Sequence, residues 1–179
     1  GFVPAWAPAD EPGGHANARV EGIFERPTFR DAARLRRCVV PLDGYYEWKT
    51  EGRLKVPYYF RAADGGPLAV GGLWSLHLAA DGSSRRTLCL VTVAPNREAG
   101  EVHSRMPIVL TSAARQAWLS ENAFTPEDFA RLAVTAPDRT LSLYRVSPDV
   151  NRVAVDAERL VQPLVGAMDQ PDFFGDLLG

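Results

Sequence analysis

Apolar, β-branched and aromatic residues concentrate in five stretches of the chain, and several of these alternate with polar residues, a pattern typical of half-buried strands. The stretches lie at about 38–48, 56–62, 67–79, 86–93 and 140–147. Two connecting segments, ADGG and ADGS, have the composition of tight turns between neighbouring strands. The pattern therefore predicts a largely antiparallel sheet built from consecutive hairpins.

Residues 27–37 (PTFRDAARLRR) carry the signals of a short helix. Thr28 is the predicted N-cap, and Asp31, three residues on, is the predicted reciprocal partner of a capping box. A second short helix is predicted at 111–121 (TSAARQAWLSE).

A third helix is predicted at 125–134 (TPEDFARLAV). Thr125 is its expected cap, Pro126 occupies the first helical position, and Asp128 closes a capping box. Beyond this helix and the strand at 140–147, the segment 151–164 is expected to add a further short strand before the chain returns.

Strands clustered before helices indicate an α+β fold, with a mainly antiparallel or mixed β-sheet and a few short flanking helices. The 179 residues are enough for a sizeable core without disulfides or a structural metal. We predict a single domain over residues 1–164 and an acidic, loosely attached C-terminal tail over 165–179.

Composition narrows the class of protein. The apolar fraction of 46% and the charged fraction of 23% are those of an ordinary soluble globular protein, and no apolar run is long enough to span a membrane. Cys38 and Cys89 both lie in apolar, strand-like runs, which favours small core residues over a disulfide, a zinc site or a reactive thiol. We therefore expect a cytoplasmic protein with no membrane partner.

Charge is unevenly distributed although the net charge is only −2. Between Arg26 and Arg61 there are nine Lys and Arg residues against four acidic ones, whereas the C-terminal segment is acidic. Two interpretations are equally open: the basic segment binds an anionic partner such as nucleic acid, or its arginines merely solvate a helix face.

Glu47 lies among three aromatic rings in GYYEW (44–48). A carboxylate in that company either points to solvent or lies in a site of low dielectric. Three other stretches place polar residues in unusual surroundings: HANARVEG, EVHSRMP and VSPDVNRV, with Asn17, Arg19, Glu21, His103, Arg105 and Asn151. If the first stretch is extended, Asn17, Arg19 and Glu21 face the same way.

A Glu, a His and an Asn brought together can act as general base, general acid and orienting group. The residues alone leave open that His103 is an ordinary surface histidine. Trp6 and Trp48, close to the basic segment, are either stacking platforms for unpaired bases or buried core residues. The chain has no Gly-rich phosphate loop, no metal-ligand spacing and no serine nucleophile elbow, so we expect neither a metal nor a nucleotide cofactor.

Taken in order, these stretches resemble the SOS response-associated peptidase (SRAP) family over residues 1–164. The resemblance is carried by GFVPAW, NARVEG, RPTFRDAARLRRCVVPLDGYYEWK, VPYYFRAADGGPLAVGGLW, LVTVAPN, HSRMPIVL, VSPDVNRV and LVQPL. It implies an SRAP-type fold, with a barrel-like, bifurcated sheet. It also implies a nucleoid-associated protein of the SOS response that acts in DNA repair. The Arg-rich, Ala-rich and Lys-poor composition suggests a bacterial source.

The resemblance implies that the partner is single-stranded DNA containing abasic sites. Family members trap the ring-opened sugar as a covalent crosslink through a cysteine at position two, whose amine and thiol close a thiazolidine ring. By this resemblance Asn17 holds the cysteine, Glu47 lies beside it, and His103 promotes proton transfer and ring opening. The DNA path is expected to be lined by Trp6, Arg19, Trp48, Thr92 and Arg105.

The sequence departs from the family pattern at its start, because it opens at GFVPAW and the segment with the N-terminal cysteine is absent. Two explanations are open: a truncated record of an ordinary member, which we favour, or a short paralogue that has lost the chemistry. The leading hypothesis is an abasic-site sensor and shield, an enzyme only when the cysteine is present. The alternatives are a non-catalytic single-strand binding module and a peptidase limited to removing its own leading Met; an abasic-site lyase activity also fits the residues. We expect a monomer.

Overall fold

The computed structural model describes residues 1–11, 14–78 and 80–164, which form two β-sheets with short helices packed around them. The strands are β1 (Asn17–Arg19), β2 (Arg37–Leu42), β3 (Tyr45–Glu51), β4 (Leu54–Ala62), β5 (Leu68–Leu78), β6 (Ser84–Val93), β7 (Met106–Pro107) and β8 (Leu141–Arg145). The α-helices are α1 (Pro27–Leu35), α2 (Arg97–Gly100), α3 (Ser112–Trp118) and α4 (Pro126–Leu132), and 3₁₀ turns form at Pro148–Asn151 and Glu158–Val161.

The larger sheet has the order β1-β6-β5-β2, with β7 also on β6, and the smaller sheet has the order β3-β4-β8. Only the β1–β6 pair is parallel within these described sheets; the other pairs are antiparallel. The α+β class and the mainly antiparallel, mixed sheet are thus confirmed. The expected barrel-like closure is not seen, because the described strands form two separate sheets.

Strands β5 and β6 separate towards one end, and residues 106–110 fill the gap between them. On one side, β7 pairs with the end of β6, and Ile108 N donates to Val91 O at 2.9 Å. On the other, Gly71 N donates to Ile108 O and Leu110 N to Ala69 O, at 3.2 and 2.8 Å. A Cβ on Gly71 would lie 2.4 Å from Ile108 Cδ1, so any larger residue here would force the Ile108 side chain to shift.

The stretch predicted as one strand at 38–48 is two strands, β2 and β3, which lie in different sheets. The break falls at Asp43–Gly44, where a Cβ on Gly44 would lie 2.3 Å from Phe60 O. Local apolar character could not reveal this break, because a contact with β4 imposes it. The strands at 56–62, 67–79, 86–93 and 140–147 are confirmed to within a few residues.

Helix α1 forms where predicted, but its N-cap is Arg26, which makes no side-chain cap hydrogen bond, and not Thr28. Pro27 occupies the first turn, where it needs no hydrogen-bond partner, so the helix starts two residues earlier than a threonine cap would allow. The capping box of Thr125 and Asp128 on α4 is confirmed.

The short strand expected within 151–164 is also wrong. That segment is built from turns and the 3₁₀ helix Glu158–Val161, tied back by Leu164 N donating to Arg145 O at 2.9 Å. Residues 165–179, predicted to be a tail, lie outside the described residues.

Arg37 is a buried cation at the first position of β2, only 7% exposed. Its guanidinium donates to five carbonyl oxygens at the ends of α1 and α3 and in the loop after α3, those of Ala33, Arg34, Trp118, Ser120 and Asn122. It also lies 3.5 Å from the centroid of the Phe124 ring. One side chain thus provides donors for carbonyls at the ends of both helices, of which the Arg34 carbonyl also accepts from Phe124 N at 3.0 Å.

Replacing Arg37 with methionine removes the donors but keeps the side-chain length. Because several buried carbonyls then lose their partners, we expect the free energy of unfolding to fall by about 2–4 kcal/mol, measured by urea denaturation. Arg34→Met on the exposed face of α1 is the matched control and should cost less than about 0.5 kcal/mol. Equal losses in the two variants would show that the carbonyl contacts of Arg37 contribute little.

Candidate functional site

Glu47 of β3 and His103, in the loop between α2 and β7, are brought together. His103 Nδ1 lies 3.8 Å from Glu47 Oε1, and the side chains are 41% and 30% exposed, respectively. Of the two settings open to Glu47, the structure shows a half-buried carboxylate beside an imidazole. Such a pair can exchange a proton with a ligand while remaining reachable from solvent.

The loop that carries His103 supports the ring in either protonation state. Its backbone is anchored by His103 N donating to Ala99 O at 2.9 Å, directly after α2. The Arg105 N–H lies 3.2 Å from Nδ1 and can donate to it when Nδ1 is bare. The Arg105 carbonyl, also 3.2 Å away, can accept from a protonated Nδ1. The ring can therefore gain or lose a proton without losing a hydrogen-bond partner.

Tyr45 lies two residues before Glu47 on β3, and its side chain therefore points to the same face of the strand. Its ring stacks on Phe60 with centroids 4.8 Å apart, and its hydroxyl is buried with no partner among the described residues. Burial raises the pKa of the Tyr45 phenol, and the negative charge of Glu47 raises this pKa further. Tyr45 thus remains a neutral hydroxyl beside the Glu47–His103 pair.

Arg19 and Thr92 are neighbours across the parallel β1–β6 pair, and Thr92 is also opposite Pro107 of β7. Paired residues present their side chains to the same face of a sheet, so Arg19 and Thr92 share one face. Arg105 covers this strand end: its Nη2 donates to the Thr92 carbonyl and lies 3.5 Å from Thr92 Oγ1. The structure therefore groups Arg19, Thr92 and Arg105 at one edge of the larger sheet.

Arg105 is also ion-paired, with Nη1 2.7 Å from Glu21 Oε1. The hydrogen bond from Arg105 holds the pKa of the Glu21 carboxyl below its usual range. Glu21 was expected to continue the extended face of Asn17 and Arg19. It lies instead in the turn after β1, which lets its carboxylate reach back over the sheet edge.

Trp6 and Trp48 occupy different settings. Trp6 is 65% exposed on the loop that follows the first residues, so its interpretation as a core residue is wrong. Trp48 is half-buried on the face of β3 opposite Glu47, and its Nε1 donates to Asn151 Oδ1 at 2.9 Å. Asn151, at the end of the 3₁₀ turn Pro148–Asn151, therefore has a polar partner that its sequence context did not reveal.

Asn17 is exposed at the start of β1, on the same face as Arg19. No hydrogen bond joins its side chain to Glu47 or His103 in the described structure. The structure thus brings together two of the three catalytic residues expected from the resemblance, Glu47 and His103. Asn17 lies on β1 of the larger sheet, two residues before Arg19.

Neither cysteine is placed for chemistry. Cys89 is fully buried in β6 and Cys38 is half-buried in β2, and both are free thiols. Burial raises the pKa of Cys38 to about 11 and that of Cys89 to about 12. The core interpretation is confirmed for Cys89, whereas Cys38 is only half-buried.

Two other findings bear on ligands. Across the described ranges, no cluster of three or more His, Cys, Asp or Glu side chains could hold a metal ion. None of the helices in that part of the chain has the length and apolar character needed to cross a bilayer.

The sequence analysis missed three features of the site: Glu21 with Arg105, Asn151 with Trp48, and Tyr45 beside Glu47. The first two join residues 84 and 103 positions apart, and no local pattern reports such a distance. The third had a signal, because alternation along a strand places Tyr45 and Glu47 on one face.

The chain is similar to proteins named abasic site processing proteins. YoqW of Bacillus subtilis (strain 168) is 30% identical over 165 residues, which cover 90% of this chain and 73% of YoqW. YedK of Escherichia coli (strain K12) is 28% identical over 166 residues, which cover 92% of this chain and 72% of YedK.

Solved structures show the same fold. A crystal structure of a protein from Bacteroides thetaiotaomicron superposes with a TM-score of 0.83 at 27% identity, covering 92% of this chain and 75% of that one. A protein from Bordetella bronchiseptica superposes with a TM-score of 0.73 at 25% identity, covering 82% and 74%.

The family model described as SOS response associated peptidase (SRAP) matches residues 1–153. This match covers most of the chain and includes each of the site residues described above. It agrees with the resemblance in the sequence and with the identity shared with the abasic site processing proteins. The chain therefore belongs to the SOS response associated peptidase (SRAP) family.

Proposed function

We propose that this protein senses and shields abasic sites in single-stranded DNA. The observation that carries the proposal is the meeting of Glu47 and His103, 3.8 Å apart, in a family whose relatives are named for abasic site processing. An abasic sugar exists largely as a closed ring. Opening it moves a proton from the anomeric hydroxyl to the ring oxygen, and a carboxylate beside an imidazole is suited to relay that proton.

The proposed roles follow from placement. Glu47 and His103 act at the reacting sugar, with the half-exposed ring of His103 towards the ligand. Asn17 orients the reacting group from the start of β1. Tyr45 keeps a neutral hydroxyl close to Glu47.

The DNA path would run over the sheet edge where Arg19, Thr92 and Arg105 lie. Exposed arginine favours the phosphate backbone without reading sequence, as a sensor of missing bases requires. Trp6, exposed on its loop, and Trp48 supply ring faces for stacking on unpaired bases. No nucleotide cofactor takes part in this scheme.

The covalent step proposed for the family needs an α-amine and a thiol on one cysteine. The amine attacks the aldehyde carbon, water leaves to give an imine, and the thiol then adds to the imine carbon to close the ring. The 179 residues contain two cysteines, and neither carries a free α-amine. A crosslink of this kind therefore requires a cysteine outside this sequence.

A second candidate function is a module that binds single-stranded DNA without a covalent step, since desolvation raises the pKa of both thiols in this sequence and neither thiol favours adduct formation. The same arginines and tryptophans would carry that binding. A heat-stable adduct with abasic but not intact strands separates the two functions, because only the sensor forms such an adduct when the N-terminal cysteine is supplied.

Peptidase activity in this scheme is limited to removal of a leading Met. Glu47 with His103 could also assist a lyase reaction.

Arg19→Glu tests the proposed DNA path. Because the variant replaces an attraction to phosphate with a repulsion, we expect the affinity for a single-stranded oligonucleotide to fall roughly tenfold. The slope of log affinity against log salt concentration should decrease by an amount equivalent to about one to two phosphate contacts. Fluorescence anisotropy over a series of salt concentrations measures both. Arg115→Glu on α3 is the matched control with the same change in charge. Equal losses in both variants would show a non-specific charge effect and no path at this edge.

The cysteines give a pH prediction. Since the thiolate is the reactive form, alkylation of Cys38 and Cys89 by iodoacetamide should be slow at pH 8 in the folded protein and fast in urea. The folded rate should rise as pH approaches 11, with Cys38 first. Mass spectrometry of digested samples measures both sites. An abasic-site adduct mapped to either cysteine would contradict their assignment as unreactive core thiols.

A further inference from the structure

The turn after β1 reaches across the edge of the larger sheet through one ion pair. Glu21 Oε1 lies 2.7 Å from Arg105 Nη1, although the two residues are 84 positions apart. The side chain of Arg105 is 18% exposed and that of Glu21 is 60% exposed. The Arg105 side chain is therefore largely buried, and the Glu21 carboxylate binds it from the solvent side.

The rest of the Arg105 guanidinium faces the protein. Nη2 donates to the Thr92 carbonyl, which also accepts from Val20 N at 3.0 Å. Nε is buried without a partner among the described residues. Thr92 is paired with Pro107 of β7, and a proline has no N–H to donate across the ladder. The Arg105 guanidinium provides a donor at this end of β6.

The backbone of the same residue holds the catalytic imidazole. Arg105 N–H and C=O both lie 3.2 Å from His103 Nδ1, and they are the closest polar partners of that nitrogen. Whatever fixes the position of Arg105 therefore fixes the ring of His103 and its distance to Glu47.

We propose that Glu21 is a positioning residue for His103: it clamps the Arg105 guanidinium onto Thr92, and the Arg105 backbone then fixes the His103 ring. The Arg105 backbone holds Nδ1 from both sides, so Nε2 is the ring nitrogen left free for the ligand. The inference rests on the proposed function, in which His103 moves a proton at the abasic sugar. It assigns Arg105 a role in holding the loop, beyond any contact with phosphate.

Ring ¹⁵N NMR of the free protein tests the clamp without DNA. The chain has three histidines, so the His103 signals can be assigned with a His103→Gln variant. We expect the wild type to show one sharp set of His103 ring signals, because the Arg105 backbone holds Nδ1 in one position. Glu21→Gln should shift and broaden these signals, because the ring then samples other positions and both tautomers.

Glu25→Gln is the matched control, since Glu25 lies in the same turn, is exposed and loses the same charge. Equal His103 spectra in the two variants would overturn the proposal. A thermal melt of each variant shows that the protein remains folded.

A double-mutant cycle tests the route through Arg105. If Glu21 acts through Arg105, Glu21→Gln should change the His103 signals no further in an Arg105→Lys background. An undiminished effect in that background would overturn the proposed route. Arg105→Lys keeps the charge, so loss of the planar guanidinium is the main change.

DNA binding distinguishes failure of the clamp from failure of the proposed function. Relative to Glu25→Gln, we expect Glu21→Gln to weaken binding to an abasic-site oligonucleotide roughly twofold to fivefold. Tighter binding than in the control would mean that Glu21 merely screens Arg105 from phosphate, and would overturn the clamp. If the wild type binds no single-stranded DNA, the proposed function fails, and the NMR result still decides whether Glu21 positions His103.

Discussion

The insertion of residues 106–110 between β5 and β6 is the constraint on which the rest of the structure depends. Two separating strands leave backbone groups without partners, and burying these groups unpaired would be costly. The inserted segment satisfies them on both sides, and Gly71 leaves the room it needs. Because His103 and Arg105 immediately precede this segment, the same insertion carries them to the sheet edge where β1 ends.

Two arginines contact distant segments of the fold through different kinds of acceptor. Arg37 is buried and satisfied by neutral carbonyls, which gather the ends of α1 and α3 around one cation. Arg105 lies at the sheet edge, where its terminal nitrogens donate to a carboxylate and a carbonyl while Nε has no partner among the described residues. In both cases a planar guanidinium binds to segments far apart in sequence, which a flexible ammonium could not do with the same geometry. The protein thus uses part of its basic character internally, and Arg19 remains exposed for a partner.

Much of the architecture was predictable because it is local. Alternation and turn composition located β4, β5, β6 and β8, and Thr125 with Asp128 marked the start of α4. The errors arose where distant contacts decide. Gly44 breaks an apolar run because β4 passes too close for a side chain, and Pro27 starts α1 ahead of Thr28. The segment 151–164 remained in turns although its composition suggested a strand.

By itself the sequence determined the class of fold, the family and the kinds of residue available for chemistry, since periodicity, capping and motif order are properties of neighbouring positions. Only the tertiary structure decided that Glu47 meets His103, that Trp48 binds Asn151, and that Glu21 holds Arg105. These contacts join strands of different sheets or residues tens of positions apart. Their formation depends on how the two sheets pack together, and that packing depends on many core residues that are far apart in the sequence.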